Sequence, residues 1–235
     1  MKKLNFILII LLCYACSPRA YTIYEVKSSN ILMDSAFDKN ANPKTIEIVD
    51  YYSNLIKPML SEVIGEVSHT MTIEKPEREL VYFTLNVIKQ YGDKNISGGV
   101  DFALMNINGH RANLNEGSVT MGDMYEIYSF DNTLVSVELQ GKDLPDIFKN
   151  YAKALCSNVN FTITKDGDIT DIFINNMPLN PDKTYKIITL DYLAKGGDDM
   201  AVMKNASNFY DTGILIRDVM ISYVKECTKN NKKIE

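Results

Sequence analysis

Apolar positions along the chain switch between periods of about 3.6 and 2, and the switches mark its elements. NPKTIEIVDYYSNLIKPMLSEVIGE sets Ile46, Val49, Tyr52, Leu55 and Ile56 on one helical face. Asn42 stands there as a cap and Pro43 at the first helical position. Pro58 is expected to kink or interrupt that helix. EVSHTMTI alternates and predicts a strand, and ERELVYFTLNVIKQY predicts a helix with Leu80, Phe83, Leu85 and Val87 turned inward. VDFALMNI is a mostly apolar strand. NGHRANLNEGSVTMGDMYEIYSF reads as a long polar loop anchored by Met124, Ile127 and Phe130. TLVSVELQG alternates strongly, and KDLPDIFKNYAKAL predicts a helix with Leu144, Ile147, Phe148 and Tyr151 on its apolar side. VNFTIT, ITDIFI and TYKIITL predict strands, with DGD turning between the first pair. GILIRDVMISYVKEC predicts the last helix. Strands and helices are mixed without strict alternation, no repeat is visible, and no linker separates two cores. The pattern predicts one α/β (α+β) domain of about 200 residues, with mixed sheets layered with helices.

The N-terminus does not fit that pattern. MKKLNFILIILLCYAC carries two lysines, an apolar run and then small residues, which is a secretory signal and too short for a stable membrane span. LLCYACS resembles a bacterial lipobox closing at Cys16, with Cys13 where leucine is usual. The expectation is a signal with lipobox over 1–16, a tether over 17–42 and the folded domain over 43–235. Lipid on Cys16 would make the chain an exported, membrane-anchored bacterial lipoprotein, periplasm-facing or on the cell surface. Plain signal cleavage and a retained anchor are the alternatives.

Composition narrows the function classes. Hydrophobic residues make up 46% and charged residues 23%, an ordinary globular balance. The net charge is -5. No basic patch stands out, and KNNKK at the C-terminus reads as a solvated tail, so no nucleic-acid partner is expected. Cys156 and Cys227 show no framework spacing. Separate thiols are the simpler reading, and a disulfide in an oxidising compartment is the alternative.

Much familiar chemistry is absent. The histidines are His69 and His110 alone. There is no HExxH, CxxC, GxSxG or P-loop, and no cluster has metal-ligand spacing. His69 reads as structural, and His110, beside a glycine in a loop, is the better functional candidate. Asn106, Asn108, Gly109 and Arg111 follow a strand end, where ligands approach backbone in α/β proteins. Arg111 could clamp a phosphate or carboxylate with its fork, or tie down loop carbonyls. SFDNTL places Phe130, Asp131 and Asn132 before a strand, where an ordinary Asx turn is the plainer reading. In DYLAKGGDDM, Gly196 and Gly197 let the chain double back, so that Asp198 approaches the ring of Tyr192. An aromatic face beside a carboxylate suits a nucleoside, whose base stacks and whose ribose hydroxyls donate. The alternative is a tight turn with Asp198 or Asp199 capping a helix.

Taken together, these segments resemble the 5'-nucleotidase C-terminal domain family. DFALMNINGHRANLNEGSVTMGDMYEIYSFDNTLVSVELQGKDL is similar to its central block. That block runs from an apolar strand through N-x-G-G-I-R, G-x-[IV]-T and P-F-x-N to a strand closing in T-G. DYLAKGGDDM is similar to its later N-F-L-A-x-G-G-D-G-[YF] block, and IGEVSHTMTIEKPEREL to its I-G and E-S-x-L segment. The resemblance runs over about residues 44–227 and implies a single 5'-nucleotidase C-terminal-like domain. It implies that Arg111 engages the substrate phosphate, Tyr192 is the second of two stacking aromatics and Asp198 binds the ribose diol. Asn132 matches the asparagine of P-F-x-N. Asn106, Gly109, Gly196 and Gly197 complete the implied binding site.

The departures are specific. Lys153, Ala154 and Leu155 stand where the first stacking aromatic belongs, with Tyr151 out of register. His110 and Asn108 replace motif residues beside Arg111, and Tyr82 and Asn86 replace an asparagine and an aspartate of the upstream helix. After the signal there are too few residues and histidines for the family's dimetal phosphatase half. The implied role is therefore the nucleotide- or nucleoside-recognising half of a split 5'-nucleotidase. It would be inactive alone and completed by a separately encoded metallophosphatase. No cofactor is expected in this chain, and divalent metals only in that partner. The alternative is a non-catalytic, lipid-anchored nucleoside-binding or protein-interaction domain.

Overall fold

The computed structural model describes residues 21, 23–31, 39 and 41–235. The signal over 1–16, Cys16 and much of the tether lie outside the described residues. The chain divides into two compact units, Met1–Val49 and Asp50–Glu235. The described part of the first is exposed, with a 3-10 turn at residue 39 before a helix begins at Pro43.

That helix, α1, runs Pro43–Leu60. The Lys44 amide donates to Asn42 Oδ1 at 2.9 Å, so the expected cap is present. Pro58 falls in the last turn, where it forfeits a single bond, and the helix continues past it. Its apolar face is present too, yet no residue of α1 is buried.

β1 (Val63–Val67) pairs antiparallel with β3 (Gly117–Thr120). The strand expected over EVSHTMTI therefore sits earlier. Beyond Val67 the alternating residues lack a partner strand, apart from a bridge from Met71 to Leu114. α2 (Glu79–Asn95) buries Leu80, Val81, Thr84, Leu85, Val87 and Ile88. β2 (Phe102–Asn106) is buried at every position, as a strand covered on both faces must be. The segment expected as one polar loop contains β3 and the helix α3 (Met121–Ile127). Thr120 and Asp123 form a reciprocal capping box that starts α3.

β4 (Thr133–Gln140) follows, then α4 (Leu144–Phe148). The helix expected through Leu155 stops at Phe148, because β5 (Ala154–Cys156) leaves it to pair with β2. β6 (Val159–Ile163), β7 (Ile169–Ile174) and β8 (Met177–Pro178) form a separate antiparallel sheet. β9 (Thr184–Leu190), α5 (Asp191–Ala194), β10 (Ser207–Leu215) and α6 (Ile216–Lys229) close the chain. β10 absorbs the first residues of the predicted last helix.

The main sheet has the order β10-β4-β9-β2-β5. β2 and β9 run parallel, and the other neighbours are antiparallel. α2 lies against β2, β5, β9 and α6, while Phe148 of α4 meets Phe102 of β2 with ring centres 6.0 Å apart. The result is the mixed α/β domain, with helices layered on mixed sheets, that the sequence pattern predicts. Cys156 and Cys227 are both free thiols.

Candidate functional site

Strand direction gathers the predicted residues at one edge of the main sheet. β2 and β9 run parallel and end at Asn106 and Leu190. β4 is antiparallel to β9, with Leu134 opposite Leu190, so it begins at that edge. β5 begins there too, with Ala154 opposite Asn106, and β10 ends there, with Leu215 opposite Thr133. Ligand sites in α/β sheets form at such carboxyl ends of parallel strands.

Part of the edge is a bonded cluster. Asn106 is buried, and its Nδ2 donates to Asp198 Oδ2 at 2.8 Å. The Tyr192 hydroxyl donates to Asp198 Oδ1 at 3.1 Å, and the Asp198 amide lies 3.2 Å from the same hydroxyl. Both carboxylate oxygens are thus held in place. Gly197 lies over the tip of the Tyr192 ring, where an added Cβ would fall 2.4 Å from Cζ. Only glycine allows so close an approach. Gly196 takes φ +93, and Asp198 and Asp199 follow in the left-handed region. Gly109 plays a similar part opposite Asn106 Oδ1, which a Cβ there would meet at 2.6 Å. That oxygen is buried without a hydrogen-bond partner. Tyr192 remains 43% exposed.

Arg111 and Asn132 belong to a second cluster. The Arg111 guanidinium sits 4.9 Å from the centre of the Phe130 ring. The side chain is exposed, and no carboxylate of the described residues pairs with it. Asn132 uses its carbonyl to accept from the Ile216 amide at 3.1 Å. Arg217, which the sequence reading did not single out, anchors this arm. It is buried, donates to Tyr128 O at 2.9 Å and Asp131 Oδ1 at 2.7 Å, and stacks over Tyr125 at 4.2 Å. An arginine at a helix start carries no local sign of that role. No hydrogen bond joins the two clusters.

His110 is not at the surface of this edge. It is buried, with Nε2 2.9 Å from Thr84 Oγ1 and Nδ1 3.3 Å from Ile107 O. The Thr84 hydroxyl donates to Leu80 O and lies 2.7 Å from the Tyr128 hydroxyl. Burial drives the His110 pKa down to about 4, against a smaller opposing effect of the Ile107 carbonyl. Burial also raises the pKa of Tyr128. This corrects the functional expectation for His110, because its ring nitrogens are spent inside the core. His69 pairs with Glu79 at 2.7 Å.

Lys153, Ala154 and Leu155 stand where the first aromatic was expected, and of these Lys153 reaches the glycine turn. Its ammonium pairs with Asp199, which raises the lysine pKa and lowers that of the aspartate. Beside Tyr192 the edge therefore carries a paired lysine in place of a second ring. Among the described residues no group of three His, Cys, Asp or Glu could hold a metal ion.

Comparison with known proteins adds an independent line. A family model described as 5'-nucleotidase, C-terminal domain matches residues 63–205. Protein UshA of Escherichia coli is 25% identical over 195 residues, covering 79% of this chain and 35% of that protein. The 5'-nucleotidase of Vibrio vulnificus is 27% identical over 143 residues, covering 57% of this chain and 25% of the relative. The solved 5'-nucleotidase precursor of Thermus thermophilus superposes with a TM-score of 0.69 at 24% identity. That match covers 82% of this chain and 41% of the Thermus one, and it shows the shared fold. The chain thus spans about a third of UshA.

Proposed function

The chain belongs to the 5'-nucleotidase C-terminal domain family, and from that premise we propose that it recognises a nucleotide or its nucleoside for a phosphohydrolase reaction. The observation that carries the reading is the Asn106–Asp198–Tyr192 cluster at the carboxyl ends of β2 and β9. Each Asp198 oxygen has a lone pair left after its internal bond, so the carboxylate can accept from both hydroxyls of a ribose diol. The exposed part of Tyr192 offers a stacking surface for the base. Arg111, unpaired and fixed over Phe130, engages the phosphate through its planar fork. Holding base, sugar and phosphate this way supplies orientation.

The histidines do not fit the family's dimetal centre, since His110 is committed to Thr84 and His69 to Glu79. The divalent metals belong to a separately encoded metallophosphatase, which would supply the activated water. Helix α1 supports such a partner. Tyr51, Tyr52, Leu55, Ile56 and Met59 are 44–61% exposed, a contiguous apolar face directly before the matched region. Among the described residues no helix is long and apolar enough to cross a membrane. Attachment through a lipid on Cys16, after export, completes the proposal.

Calorimetric titration of AMP into the full chain tests the recognition step. Saturable binding that disappears in Tyr192→Ala supports it, and silence from the wild type contradicts it. Mixing the chain with the metallophosphatase should raise phosphate release well above the phosphatase alone; no gain would count against the split enzyme.

A further inference from the structure

Two of the departures from the family pattern meet in space. Tyr82, which replaces an asparagine on α2, and Tyr151, the aromatic out of register, line the same pocket of about 180 Å³. Phe161, Leu155 and Cys156 are among the apolar residues that line the rest of it. Phe161 is itself stacked on Phe148, with ring centres 5.6 Å apart and planes at 16°. Tyr151 leans on Phe161 at 6.4 Å. The walls are thus aromatic faces backed by the core. Tyr82 and Tyr151 remain 46% and 39% exposed, although each presents a large apolar ring.

Size restricts the occupant. An apolar cavity of about 150 Å³ admits a benzene molecule, whereas drug-sized ligands need roughly 300 Å³ or more. The pocket therefore suits one ring system and not a whole nucleotide. Its chemistry restricts the occupant further. Flat π surfaces favour a flat guest.

The pocket also adjoins the candidate site along the chain. Tyr151 lies just before Lys153, whose ammonium reaches Asp199 in the glycine turn and whose carbonyl accepts from the Ile107 amide. Substituents on a ring held at Tyr151 can leave toward that edge. We propose that the Tyr82–Tyr151–Phe161 pocket is a second ring-binding subsite, taking a single nucleobase-sized heteroaromatic ring. The choice of nucleobase as the guest rests on the nucleotide-recognition reading, and the pocket itself does not.

The test uses the full chain with free adenine, free uracil and adenosine as probes, titrated by calorimetry. The variants are Tyr82→Ala, Tyr151→Ala and Tyr192→Ala, each checked for an unchanged melting temperature. Both exposed tyrosines can be truncated without opening the core. The proposal expects at least one free base to bind, with affinity falling about tenfold or more in Tyr82→Ala and in Tyr151→Ala. Binding that survives both within twofold overturns it, as does the failure of every base to bind. Adenosine binding lost only in Tyr192→Ala would keep the recognition reading and overturn this one. Free-base binding lost in Tyr82→Ala, with adenosine and AMP indifferent to Tyr192→Ala, would keep the subsite and overturn the recognition reading.

Discussion

The edge that carries the candidate site and the layer directly behind it are built on opposite rules. Behind it, Thr84, His110, Tyr128 and Arg217 are buried; the first three bond one another, and Arg217 donates to the Tyr128 carbonyl and to Asp131. At the edge, Arg111, Phe130 and Tyr192 are exposed, and Arg111 meets no acid among the described residues. The two arginines make the contrast plain. Each stacks on an aromatic ring, Arg217 on Tyr125 and Arg111 on Phe130. Arg217 is closed off by Asp131 and the Tyr128 carbonyl, while Arg111 is free to meet an anion. One arginine holds the loop, and the other is presented by it. Changes in the rear layer should therefore alter stability, and changes to the exposed side chains of the edge should alter binding with little effect on stability.

The largest expected effect concerns His110. Its folded pKa of about 4 lies below the unfolded value of 6.5, so the unfolded chain takes up the proton first. Stability on this account is full above about pH 6.5 and falls by roughly 3 kcal/mol as pH drops toward 4. Urea midpoints between those limits should fall less steeply in His110→Asn than in the wild type. Parallel slopes would place the histidine outside the buried layer. Next, Arg217→Met should cost roughly 2 kcal/mol, since it leaves the buried Tyr128 carbonyl without its donor. Asp131→Ala should cost at most about 1 kcal/mol, because that carboxylate is 77% exposed. Equal losses would break the distinction between the arginine and its partner.

Gly197→Ala sits between the two regions. Its Cβ must displace the Tyr192 ring or the turn, so a loss of about 1–2 kcal/mol is expected together with weakened nucleoside binding. Arg111→Met should change stability by less than about 0.5 kcal/mol while lowering AMP affinity about tenfold. Adenosine affinity should stay level, because the lost partner is the phosphate. The smallest effect belongs to Tyr192→Phe, which keeps the ring and releases Asp198 Oδ1. Adenosine should bind about as well as to the wild type, or up to about threefold tighter, since the carboxylate gains a free lone pair.

The parts of the fold that were legible had short-range causes. TLVSVELQ was legible because Leu134, Val135, Val137 and Leu139 are buried while Glu138 and Gln140 keep contact with solvent, and the helix at Glu79–Asn95 shows its buried stripe directly. β10 was missed because SNFYDTGIL is an edge strand, exposed at most positions and irregular in register, so no alternation marks it. The helix through Leu155 failed for a non-local reason. Tyr151 and Leu155 hold helical spacing, but β2 captures Ala154–Cys156 as an edge strand. Thr120-x-x-Asp123 was a readable helix start inside a segment taken as a polar loop.

The site divides the same way. The glycine turn was legible because glycine is the residue such backbone needs, and Asp198 does meet Tyr192. The bond from Asn106 to Asp198 spans 92 positions, and nothing local announces it. Arg217 looks like any arginine opening a helix, and its role exists only where β10 ends beside β4. His110, beside a glycine, had the local look of a loop residue, and packing against α2 placed it in the core.

The central claim is that Asp198, fixed by Asn106 and Tyr192, reads the ribose diol. The affinities of adenosine and 2',3'-dideoxyadenosine, measured for the wild type and for Asp198→Ala, test it most directly. The account predicts that the wild type prefers adenosine by about tenfold or more, and that the preference vanishes in Asp198→Ala while the melting temperature holds. Equal affinity for the two ligands in the wild type, or a preference that survives in Asp198→Ala, would contradict it.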